Sequence, residues 1–211
     1  MKTNDLIDML AHEVEPAERP RWRVRVWATL AAGLAIAALL VASFIHVRPD
    51  IGAAAVPVLL KAAFSAAAAA SVLPLAMRLM QPGAPLGWRT LAVLIFAGVC
   101  VLATVIALAG MPSEERMRAW TGGGFPWCIV EIPIFSAPAA ALMVWLARGL
   151  APTRLPLTGA AIGALSGSLG AMAYAMYCPV DSAPFVTTWY AAAIAICAAL
   201  GAIAGSKLLR W

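Results

Sequence analysis

The chain has 211 residues, of which 63 % are hydrophobic and only 12 % charged. That composition excludes an ordinary soluble domain and points to a protein whose solvent is largely lipid. The formal net charge is +5, but the basic residues gather at the ends of apolar runs, so the charge reports membrane orientation and not nucleic-acid binding.

The chain opens with a polar stretch, MKTNDLIDMLAHEVEPAERP (residues 1–20). Leu6, Met9, Leu10 and Val14 recur at i, i+3, i+4 and i+8, with Ile7 alongside, which is the helical template over a short window. Five of the ten acids, Asp5, Asp8, Glu13, Glu15 and Glu18, fall here. A helix that lies on an anionic leaflet is normally basic on its polar face, so this acidic arm is expected to dock on a basic protein partner. About 15 residues are marginal as an isolated helix, so the arm is expected to order as it docks; the plain alternative is a solvated tail.

Six apolar runs follow, at about 26–45, 54–77, 88–110, 127–147, 156–177 and 185–206, each near the roughly 20 residues a helix needs to cross a bilayer. Only helices and closed barrels satisfy every backbone group in lipid, and these runs do not alternate as barrel strands do. The expected fold class is therefore all-α: a polytopic bundle of six transmembrane helices, with residues 1–25 as an arm and basic membrane flank and residues 26–211 as the membrane domain. The first run is too long for a signal peptide and lacks a cleavage pattern, so it is expected to remain as a span.

Lys2, Arg19, Arg21, Arg23, Arg25, Arg78, Arg89, Arg148, Arg154, Lys207 and Arg210 lie on the side that holds both termini, against Arg48, Arg116 and Arg118 on the other, with Lys61 inside a span. The imbalance predicts a multi-pass protein of the bacterial inner membrane with both termini cytoplasmic.

On this topology the fourth run starts, and the fifth ends, on the outer side. Cys128 and Cys178 therefore share one rim although 50 positions separate them. Rim cysteines whose Cα atoms come within about 4.4 to 6.8 Å can form a disulfide in an oxidising compartment, and as thiolates they can bind a soft metal ion. Simple burial beside aromatic residues is the other reading, and it is the one expected of Cys100 and Cys197 near mid-span. No resident cofactor is expected, only transient binding of a heavy-metal ion. His46 and Asp181 lie on the same side, where either would complete a three-donor set with the two thiols. Glu131 is three residues from Cys128, on the same helix face, and an acid within a span costs about 2.5 to 3.5 kcal/mol. Lys61 or water is expected to compensate it.

In MYCPVDSAPFVTTWY (176–190) Pro179 stops a span, Asp181 and Ser182 turn, and Pro184 is placed to begin the last helix. The small-residue stretches GALSGSLGAMA (163–173) and GAIAG (201–205) are read as close helix packing, not phosphate binding.

Two other functions have less support in the sequence. A thiol oxidoreductase would need a Cys pair of the CxxC kind, and a transporter would be supported by repeated halves; neither is found in the sequence. No catalytic site is expected.

The opening MKTNDLIDMLA, the arginine-flanked first span, PWCIVEIPIFSAPAA with Cys128 and YCPVDSAPFVTTWY with Cys178 together resemble the NrsF-like family of six-span membrane anti-sigma factors. The resemblance runs nearly end to end. It implies a non-enzymatic negative regulator whose partners are an extracytoplasmic-function sigma factor and membrane lipid. It further implies that the cytoplasmic arm, through Leu6, Ile7, Met9 and Leu10, holds the sigma factor, and that Cys128 and Cys178 sense metal or oxidant stress. Tyr177 stands where the family motif often carries a His before the second Cys.

Overall fold

The computed structural model describes residues 22–83, 87–124 and 126–210; the arm residues Leu6, Ile7, Met9 and Leu10 lie outside them. Seven helices make up the described part: α1 (Trp22–Phe44), α2 (Ala55–Leu79), α3 (Arg89–Ala109), α4 (Ser113–Thr121), α5 (Cys128–Arg148), α6 (Leu155–Tyr174) and α7 (Ala183–Leu208). All except α4 are long and apolar enough to cross a membrane, and their limits fall within a few residues of the six apolar runs. Trp22, Arg23 and Arg25 are already helical, because a helix continues beyond the hydrocarbon until its cations reach the headgroups.

At one end of the bundle stand Arg23, Arg25, Arg78, Arg89, Arg148, Arg154, Lys207 and Arg210. Hydrogen bonds tie this end together: Thr158 donates to the Leu79 carbonyl (3.1 Å), and the Arg148 Nε to the Leu208 carbonyl (2.6 Å). The opposite end carries α4 and the loops 45–54 and 175–182.

Burial follows from side-chain size. α6 is covered on nearly every side by α5, α7, α2 and α1, because its Gly and Ser residues let neighbouring backbones approach closely. At its seam with α7, an added Cβ on Gly163 would collide with the Cys197 carbonyl, and one on Gly201 with the carbonyl of Gly159. The small-residue stretches thus act in packing. α3 has the reverse character: Leu94, Ile95, Val101 and Ile106 point outward, as lipid permits. α7 begins with Pro184 in its first turn, as expected, and then widens into a π-helical stretch, Val186–Tyr190, which no feature of the periodicity had indicated.

Candidate functional site

The site lies at the end of the bundle opposite the arginine-rich one. Cys128 is the first residue of α5, and Cys178 sits where α6 ends, its amide donating to the Tyr174 carbonyl at 3.1 Å before Pro179 halts the helix. Both thiols are free and nearly sealed, 1 % and 2 % exposed. Both line one cavity of about 180 Å³, shared with Gly122, Tyr174, Tyr177 and Phe185. Each thiol has a weak local acceptor, the Pro126 carbonyl for Cys128 and the Val180 carbonyl for Cys178, both at 3.8 Å. The three tyrosines of the chain gather here, with Tyr174 ring centroids 5.5 Å from Tyr177 and 6.1 Å from Tyr190. The Tyr190 hydroxyl is buried facing the Cys178 thiol.

α4 covers the cavity. Ser182 donates to the Ala119 carbonyl (2.7 Å), Trp189 Nε1 to the Trp120 carbonyl (2.7 Å), and the Trp120 and Trp189 rings lie 5.2 Å apart. The helix ends at Gly122 with φ +69°, where any Cβ would strike Val180 and Phe185. Glycine is needed there twice over, for its left-handed backbone and for the lack of space.

Beside the cavity is a cluster of four charges. Lys61, 2 % exposed, donates to Asp181 Oδ1 at 2.6 Å and to the Cys178 carbonyl at 2.8 Å. Arg48 donates to Asp181 (3.0 Å), to the same Cys178 carbonyl (3.3 Å), and through Nε and Nη2 to the two oxygens of Asp50 (2.7 and 2.8 Å). Two cations and two anions cancel, which is the condition under which charges persist at a membrane boundary. The two aspartates hold Arg48 firmly protonated, against the opposing effect of burial. Burial pushes the Asp181 carboxyl up, but the hydrogen bonds from Lys61 and Arg48 outweigh it and leave Asp181 below the usual carboxylate range. The hydrogen bond from Arg48 lowers Asp50 as well.

The structure therefore redistributes the expected roles. Lys61, expected as the counter-ion of Glu131, is paired with Asp181, because the 175–182 loop folds back over α2. Glu131 is half-buried facing the Tyr174 hydroxyl, and its Oε2 has no hydrogen-bond partner. His46 is exposed, at φ +70°, and Asp181 is occupied by cations. Among the described residues no three His, Cys, Asp or Glu side chains gather as metal ligands, so the three-donor set that His46 or Asp181 would complete with the thiols is not assembled. Arg48 and α4 were missed. The signal for Arg48 was present in RPD (48–50), an arginine on the sparsely basic side with an acid two residues on; that for α4 was in SEERMRAWTG (113–122), with acids in the first turn, Arg118 in the last and a glycine just after it.

A family model described as a negative regulator of sigma F, NrsF, matches residues 10–211. The chain is 35 % identical over 214 residues to the "Probable anti-sigma-F factor NrsF" of Azospira oryzae, and 31 % identical over 216 residues to the "Anti-sigma-F factor NrsF" of Caulobacter vibrioides; 100 % of this chain and of each relative is covered. No solved structure matches. The family is one of regulators and not of enzymes. By a match over nearly its whole length, the chain belongs to the NrsF family, the negative regulators of sigma F.

Proposed function

We propose that this protein is an inner-membrane anti-sigma factor, with both termini cytoplasmic, that holds an extracytoplasmic-function sigma factor through Leu6, Ile7, Met9 and Leu10 and releases it when Cys128 and Cys178 react. Two reactions suit the pair. An oxidant takes two electrons and two protons as the thiols join in a disulfide, or a soft metal ion binds both sulfurs as each releases its proton. Either draws the start of α5 and the α6–α7 turn together.

The observation that carries the reading is that one cavity is lined by both thiols while the Cys178 carbonyl is gripped by Lys61 of α2 and Arg48 of the α1–α2 loop. Movement of Cys178 strains those bonds, and through them the packing of α1, the helix that leads to the arm. A coupling of about 1 to 3 kcal/mol changes affinity roughly 5- to 150-fold, enough for a switch.

The test has two parts. A sigma-dependent reporter is followed under cadmium or peroxide in cells carrying Cys128→Ser with Cys178→Ser; loss of induction with repression intact is expected, and an unchanged response removes the cysteines from the mechanism. Capture of the sigma factor by the full-length protein is expected to vanish when Leu6 and Leu10 become Glu. Failure of the unaltered protein to bind any sigma factor sinks the output half.

A further inference from the structure

At the arginine-rich end, α1, α2 and α3 leave a cavity of about 390 Å³. Arg23, Arg78 and Arg89 line it together with Leu73, Pro74 and Met77. Arg78 is in the last turn of α2, while Leu73 and Pro74 stand one turn deeper into the span, so the cavity runs from the headgroup level into the hydrocarbon.

Its cations are not neutralised within the described protein. The described acids, Asp50, Glu114, Glu115, Glu131 and Asp181, all belong to the opposite half, and the ion pairs among described residues involve only Arg48 and Lys61. Arg78 Nη1 donates to Gln81 at 3.2 Å, but its Nε is buried with no hydrogen-bond partner. Arg89 is held over the Trp88 ring, 5.4 Å from its centroid. A guanidinium with an unpaired N–H has hydrogen-bonding capacity to spare, and Arg78 lines a cavity that an acceptor can enter.

We propose that this cavity is a binding site for an anionic phospholipid, with the headgroup phosphate between Arg78, Arg89 and Arg23 and an acyl chain along Leu73, Pro74 and Met77. Guanidinium groups suit phosphate oxygens by geometry as well as charge, and basic pockets between transmembrane helices recur as anionic-lipid sites. A free phosphate would satisfy the arginines but not the apolar wall, which favours a ligand with one charged and one hydrocarbon end.

The experiment is a lipid titration of the full-length protein in non-ionic detergent, read by native mass spectrometry, with phosphatidylglycerol, phosphatidylcholine of the same acyl chains, or inorganic phosphate. Phosphatidylglycerol is expected to bind in preference to phosphatidylcholine. Arg78→Gln with Arg89→Gln is expected to weaken phosphatidylglycerol about tenfold or more and to leave phosphatidylcholine unchanged. Should that variant not fold, Arg23→Gln at an exposed position is expected to weaken it about fivefold. Equal affinity for the two lipids, unchanged affinity in the variants, or equivalent binding of inorganic phosphate overturns the assignment. So does a tenfold gain on replacing Asp5, Asp8, Glu13, Glu15 and Glu18 by their amides, because the chain's own carboxylates would then be the occupant.

Discussion

Lys61 Nζ meets Asp181 Oδ1 at 2.6 Å across 120 positions of sequence, from the inward face of α2 to the turn after Cys178. The same ammonium reaches the Cys178 carbonyl. An ion pair and the Cys178 backbone thus share one donor, and the charge cluster fixes where that cysteine stands.

Breaking the pair from one side is expected to cost more than removing it altogether. Asp181→Ala leaves a sealed ammonium with Arg48 beside it and should destabilise by about 2 to 3 kcal/mol, below the 3 to 5 of a fully buried pair because Asp181 is partly exposed. Lys61→Met combined with Asp181→Ala should recover part of that loss. Thermal unfolding of the two variants in detergent measures the difference, and equal losses would contradict the account.

The carboxyls of Asp50 and Asp181 are held below their usual range by Arg48 and Lys61. Between the folded values and the unfolded value of about 3.9 the unfolded chain binds more protons, so stability rises with pH there. The contribution is complete above about pH 4 and is lost as pH falls through the lowered folded values. Unfolding temperatures measured from about pH 6 down to about pH 3 should fall at the acid end, with a shallower fall in Asp181→Asn.

If the cluster carries the signal inward, weakening it should mimic the stimulus. Asp181→Asn with both cysteines intact is expected to raise the unstimulated reporter by at least about fivefold. Immunoblotting must show normal protein levels, since lower abundance would release the sigma factor by itself. Basal output at the wild-type level would leave the cluster a purely structural role.

Gly122 seals the cavity from the α4 side. Gly122→Ala places a Cβ against Val180 and Phe185 in a left-handed backbone, at a combined cost of about 1 to 3 kcal/mol. The displaced α4 should admit small thiol reagents, so Cys128 and Cys178 are expected to alkylate faster than in the unaltered protein. Cys100 and Cys197, mid-span, should not change.

The α6–α7 seam should tolerate no side chain at Gly163. Gly163→Ala meets the Cys197 carbonyl and is expected to lower stability by about 1 to 3 kcal/mol by forcing the helices apart. Gly98→Ala on lipid-facing α3, with nothing within 4 Å of the new Cβ, should be neutral. Unfolding in detergent distinguishes them.

The number and limits of the spans were legible in the sequence because hydropathy and helix length are local properties: lipid demands about 20 apolar residues with every backbone group paired inside the segment. The common rim of Cys128 and Cys178 followed from the same count, since each span reverses the side. The choice of partners was not legible. Lys61 had Glu131 and Asp181 within reach of any topological argument, and only the fold of the 175–182 loop over α2 awarded it to Asp181. The grip of Arg48 on the Cys178 carbonyl and the docking of α4 over the cavity likewise depend on contacts between segments far apart in sequence. Periodicity fixes which residues must leave water, whereas the pairing of buried charges depends on distances of a few ångströms that only the packed helices set.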